Sequence, residues 1–211
     1  DWMRVDICYY YYWAGNKEKA LEYADELPSA AKNTVKEFLL AGNEKMVLCQ
    51  KNIILHLQEL CYSLLTRADL NCENDPQLKD TDRIKILNKI VDVSEAIFEN
   101  EDYNFHYRLI SLVYTHIAAV AVRSKDYDEA FENLIKALNF AIAADELPER
   151  KPYTSLAVNK LVYDMYDISV SSPTLCCKEL LGYLNWSVFD DIRDTEKFQN
   201  IYLKAKEHCD K

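Results

Sequence analysis

The chain has 211 residues, a formal net charge of −10 and 49% apolar residues. It is too apolar for a disordered polymer and, with acids and bases spread evenly and no basic patch, too acidic for direct binding to nucleic-acid phosphates. Three glycines and five prolines leave little material for hairpin turns, bulges or phosphate-cradling loops, so an all-α chain is expected.

In chain order, end signals and apolar periodicity predict helices over 2–14, 17–27, 30–41, 44–68, 80–99, 103–123, 127–145, 153–170, 174–184 and 195–208. "NCENDPQLKD" at 71–80 reads as a loop, and "DELPERKP" at 145–152 as a break with Pro152 in the first turn of the next helix. The longest uncharged stretch, "LISLVYTHIAAVAV" at 109–122, falls short of the ~20 residues that cross a bilayer and suits a buried helix. The helix over 127–145 carries one apolar stripe through Tyr127, Phe131, Leu134, Leu138 and Ala141 and another through Ile135 and Ile142. Two apolar faces predict a helix sandwiched between neighbours.

One junction recurs. "WAGNKEKAL" at 13–21 matches "LAGNEKMVL" at 40–48, and "SKDYDEAFENLIKAL" at 124–138 aligns with "AGNKEKALEYADELP", setting Ala130 on Ala20 and Asp126 on Asn16. Glycine suits the left-handed position past a helix end, and Asn or Asp caps the helix that follows. Repeated helix-turn-helix units predict stacked hairpins in one domain over residues 1–211, none able to bury its apolar face alone.

These residues resemble tetratricopeptide repeats: Tyr11, Ala20, Ala24 and Pro28 fit the pattern in the first unit, and Ala118, Ala130, Leu134 and Ala137 in a later one. The resemblance implies a right-handed superhelix of antiparallel helix hairpins. Cys8 stands where a glycine or alanine is usual. The 110 residues between Ala20 and Ala130 are no multiple of the usual ~34, so helices such as 44–68 must be longer than standard. The order "YYYYWAGNKEKALEYADELPS", "EKMVLCQKNI", "FAIAADELPERKPYTSLAVN" and "FDDIRDTEKFQNIY" also resembles the C-terminal region of clostridial-type transcription regulators. Those join a lambda-repressor-like helix-turn-helix domain to a tetratricopeptide-like sensor. That resemblance implies an effector-sensing, protein-interaction region that binds a peptide or small molecule, with a protein partner or a second copy of itself. DNA would be met only through a domain outside this chain. The chain begins at Asp1 rather than Met, which predicts a fragment or processed product with something upstream. The alternative reading is a stand-alone tetratricopeptide adaptor in a protein complex.

No catalytic motif is present: there is no G-x-S-x-G, H-E-x-x-H, phosphate loop or Cys-x-x-Cys, so neither an enzyme nor a cofactor is expected. The four histidines, at 56, 106, 116 and 208, lack chelating spacing and read as packing or solvated residues, so no metal site is expected. Seven cysteines at irregular spacing without a signal peptide read as reduced thiols of a cytoplasmic protein. The vicinal pair Cys176–Cys177 reads mainly as core, with oxidant or thiophilic-metal sensing the lesser reading. "ENEDYN" at 99–104 reads as a solvated acidic cap.

Residues 9–13, four tyrosines and a tryptophan, cover every face of a helix, because successive residues point about 100° apart. Tyr11 is expected to pack inward with Cys8. Tyr9, Tyr12 and Trp13 are expected on the concave, ligand-binding side, joined by Arg123, which aligns with Trp13 in the later unit. The clamp with which chaperone-binding relatives hold an acidic tail is absent, since Val5 and Tyr9 stand where lysine and asparagine belong.

Overall fold

The computed structural model describes residues 2–69, 78–99, 102–104, 106–164 and 175–210. Ten α-helices make up most of them: α1 Trp2–Trp13, α2 Lys17–Asp25, α3 Ser29–Leu39, α4 Gly42–Ala68, α5 Asp80–Ile97, α6 His106–Arg123, α7 Tyr127–Asp145, α8 Cys176–Leu184, α9 Asp190–Arg193 and α10 Glu196–Cys209. A 3-10 turn, Ser187–Phe189, leads into α9. Among the described residues the fold is all-α but for one short antiparallel ladder, β1 Arg150–Pro152 with β2 Val162–Asp164, in which Pro152 faces Val162. No helix among the described residues is long and apolar enough to cross a membrane.

The chain divides into two compact units, the first Asp1–His56 with Ala157–Leu161 and the second Leu57–Leu156 with Val162–Lys211. In the first unit α1, α2 and α3 close on a small core of Cys8, Ala20, Ala24, Leu27, Val35 and Leu39. Ala20 and Ala24 are fully buried because a larger side chain at either would hold the paired helices apart. Cys8, also fully buried, donates its thiol hydrogen to the Arg4 carbonyl at 3.2 Å. Lys36 closes an ion pair on Asp25 at 2.5 Å, and Gln50 fixes the 157–161 segment, accepting from the Lys160 amide at 2.7 Å.

The second unit is built on α6 and α7. α6 buries Leu109, Ile110, Val113, Ile117 and Ala118 through Val122, which is why its uncharged run needs no bilayer. Against it α7 sets Ala130, Leu134, Ala137, Leu138 and Ala141, and α8 and α10 cover the far side with Cys177, Leu180, Leu184, Phe198, Ile201 and Ala205. Ser111 ties α6 to α7 by donating to the Ala137 carbonyl at 2.8 Å. Buried Arg83 donates to the Ala68 carbonyl at 3.1 Å and to that of Asp69, satisfying backbone acceptors at the end of α4 that no helical amide reaches.

The α1–α2 and α6–α7 junctions are the same object. Gly15 has φ +80°, and the amides of Gly15 and Asn16 donate back to the Tyr12 and Tyr11 carbonyls at 3.0 and 2.8 Å. Lys125 takes the equivalent place with φ +62°, and the amides of Lys125 and Asp126 reach the Val122 and Ala121 carbonyls, each at 2.9 Å. Asn16 and Asp126 then cap α2 and α7, accepting from the Lys19 and Glu129 amides at 3.1 Å each. Each junction is a Schellman closure followed directly by a side-chain cap. The middle Gly-Asn differs: Gly42, at φ +59°, already opens α4, so Asn43 lies in its first turn rather than ahead of it.

Three expectations need correction. The helix expected over 153–170 does not form across its described part: residues 153–161 are irregular backbone with a turn over 156–160, and 162–164 are β2, while 165–170 lie outside the described residues. Thr154 and Ser155 spend their polar groups elsewhere, Thr154 donating its amide and hydroxyl to Asp102 at 2.5 and 2.6 Å and Ser155 its hydroxyl to the Ile97 carbonyl. Of the acidic stretch at 99–104, Asp102, Tyr103 and Asn104 are buried rather than solvated, and Asp102 pairs with Lys151 at 2.9 Å. The second apolar face of α7 is not sandwiched, for Ile135 is 49% exposed. The loop expected at 71–80 lies outside the described residues up to 77, and α5 begins at Asp80. α4 is a long helix of 27 residues that spans the stretch expected over 44–68.

Candidate functional site: an aromatic face on the first helix

Four ring residues gather where α1 meets α3. Phe38 receives Tyr9 and Tyr12 edge-on, with centroids 5.0 and 5.4 Å away. Tyr9 in turn stacks on Trp13 at 5.7 Å, one helical turn along. Tyr9 and Tyr12 are half-buried, Phe38 is exposed on one side, and Trp13 is 73% exposed. Tyr11 lies on the opposite flank, stacked almost parallel on Tyr23 of α2 at 5.3 Å under the Lys19 ammonium. The split follows from the 100° step: Cys8 and Tyr11 point to α2, Tyr9 and Tyr12 to α3, and Trp13 to solvent.

A second apolar strip runs along α1 through Met3, Ile7 and Tyr10, all exposed, with Tyr10 at 68%. Its i, i+4, i+7 spacing is the signature of a helix face made for contact, and apolar surface rimmed by polar groups marks interaction sites. That spacing was readable in the sequence without any structure. Phe38 was not among the expected site residues, although it is the ring around which Tyr9 and Tyr12 assemble.

Arg123 lies in the second unit at the end of α6. Its guanidinium grips the Asp80 carboxylate with two hydrogen bonds, the Nε bond to Oδ2 at 3.0 Å, and the Ser124 hydroxyl adds a third contact at 3.3 Å. That engagement ties the end of α6 to the start of α5.

The second unit also holds an open cleft of about 400 Å³ between α7 and α10, lined by Ile135, Leu138, Ile142 and Ile201 with Lys197 and Lys204 at its edge. Lys197 already faces Asp128 at 3.5 Å and the Phe131 ring at 5.2 Å. His106, fully buried beside Phe98 at 5.1 Å, has its pKa pushed down to about 4 by desolvation. Burial alone would raise the Asp102 carboxyl, but the hydrogen bonds from Thr154 and Lys151 win and hold it below the usual range. Among the described residues, Asp145, Cys177 and His208 alone bring three metal-ligating groups of Cys, His or carboxylate type together.

Comparison with known proteins finds no matching family, no matching curated protein and no matching solved structure. The tetratricopeptide and regulator resemblances therefore stand on the residues quoted for them.

Proposed function

We propose that this chain is the effector-sensing and protein-interaction region of a cytoplasmic transcription regulator. In this reading the hairpins stack as a right-handed, tetratricopeptide-like superhelix, and a peptide or small molecule docks on the α1–α3 aromatic face. The single observation that carries the binding role is the exposed Trp13, held by Tyr9 against the Phe38 cluster. Ordered rings need little further immobilisation on binding, so their apolar area is available for affinity at low entropic cost. Ring faces suit an apolar peptide side chain or a planar ligand. DNA contact belongs to a domain outside residues 1–211, consistent with the net charge of −10.

Transcript profiling of cells carrying the intact reading frame tests this. Replacing Tyr12 and Trp13 by alanine is expected to reproduce the transcript changes of a full deletion, with the protein still accumulating. Transcripts unchanged by either alteration would overturn the regulator reading and leave the stand-alone adaptor, whose reading frame would lack a helix-turn-helix segment.

A further inference from the structure

Three helices of the second unit end at one point. Asp145 is the last residue of α7, Cys177 the second of α8 and His208 the penultimate of α10. One ligand atom from each lies within 4.8 Å of the other two. Cys177 is fully buried, whereas Asp145 and His208 are partly open to solvent.

The carboxylate is oriented before any ion arrives. Both Asp145 oxygens accept backbone amides at the start of α8, from Cys176 and from Cys177, the latter at 2.9 Å. Each oxygen keeps a lone pair after that bond, and such support is what fixes a ligating carboxylate. The surroundings are otherwise unfavourable to an anionic sulfur. Burial, followed by the Asp145 carboxylate, pushes the Cys177 thiol far up. Cys209, beside His208 in the chain, is raised in the same way by burial and then by Asp145. The cations nearby are engaged or at the edge: Arg108 is bound to Glu179, and Lys178 acts on Cys209.

We propose that Asp145, Cys177 and His208 form a binding site for one thiophilic divalent cation of the zinc class, which ties together the ends of α7, α8 and α10. A thiolate, an imidazole and a carboxylate are the donor set of a four-coordinate zinc site, whereas calcium and magnesium want oxygen alone. Metal–ligand bonds of about 2.0 to 2.3 Å place tetrahedral ligands about 3.3 to 3.8 Å apart. The present spacing closes to that with shifts of about 1 Å, which the partly exposed His208 at a helix end supplies by rotamer adjustment. On binding, the Cys177 S–H bond breaks, the sulfur pair goes to the metal and the proton leaves to solvent. Water fills the fourth position. The trio is distinct from the aromatic face of α1 and does not depend on its role.

Cobalt(II) is the probe, titrated into the untagged, reduced and chelator-stripped full chain. One equivalent is expected to give a thiolate-to-cobalt charge-transfer band with tetrahedral d–d absorption, and zinc is expected to bleach both. Cys177→Ser should abolish the charge-transfer band and His208→Asn should weaken binding at least tenfold, while Cys61→Ser, at a thiol on α4, leaves both intact. His208→Asn changes a partly exposed side chain and keeps the test valid where Cys177→Ser does not fold. A folded wild-type chain without a charge-transfer band, or a band of unchanged strength in the folded His208→Asn variant, overturns the site.

Discussion

The matched junctions at Gly15 and Lys125 make opposite substitutions informative. Lys125 holds φ +62° with its side chain in solvent, in the place where Gly15 holds φ +80°. The left-handed conformation costs a residue with a Cβ about 1–2 kcal/mol. Glycine gives back roughly 0.5–1 kcal/mol of that through the larger backbone entropy it loses on folding. Lys125→Gly is therefore expected to stabilise the second unit by about 0.5–1 kcal/mol, the balance of those two effects. Gly15→Ala should destabilise the first unit by a similar amount. A Cβ built on Gly15 meets nothing within 4 Å, so the loss there is conformational and not a clash. Urea unfolding followed by circular dichroism measures both, with a change in midpoint at constant slope as the readout. A destabilised Lys125→Gly, or a Gly15→Ala variant as stable as wild type, would refute the equivalence of the two turns.

Acid should unfold the second unit early. His106 binds its proton at about 4 when folded against 6.5 unfolded, so between those values the unfolded chain holds more protons and stability falls as the pH drops. The loss approaches about 3 kcal/mol by pH 4 and should largely vanish in His106→Gln, read from urea midpoints across that range. Desolvation lowers His116 in the same direction, so the double variant should be flatter still. On α7, Leu134→Ala removes a fully buried side chain and should cost about 2–5 kcal/mol, whereas Ile135→Ala, half-exposed in the cleft, should cost under about 1 kcal/mol. Equal losses at the two positions would show that the cleft is closed by something in solution.

Legibility in the sequence followed how local each determinant is. α7 runs over 127–145 as expected because Asp126 caps its start and Leu147 and Pro148 follow closely upon its end. The alignment that set Asp126 on Asn16 located a shared backbone geometry even though lysine replaces glycine between them. Residues 153–161 escaped because their partners are remote in the chain, Asp102 for Thr154, the Ile97 carbonyl for Ser155 and Gln50 for Lys160, each more than fifty residues away. Asp102 looked solvated for the same reason: its acidic sequence neighbours are visible in the chain and Lys151 is not. The division of Tyr9 and Tyr12 from Tyr11 followed from helical pitch alone, but Phe38 as their common partner required knowing how α3 lies on α1. Asp145, Cys177 and His208 lie more than thirty residues apart, so no spacing rule for metal ligands detects them.

The proposed role of the α1 rings, as a contact surface and not as core, is open to direct measurement. Panning a random peptide library on the full chain, then measuring the recovered peptides against a Tyr12→Ala/Trp13→Ala variant, tests it most directly. A loss of at least tenfold in affinity with the helical signal unchanged is expected, since Trp13 is 73% exposed and Tyr12 only half-buried. Peptides that bind the variant as tightly as the wild type, or a variant that no longer folds, would contradict it.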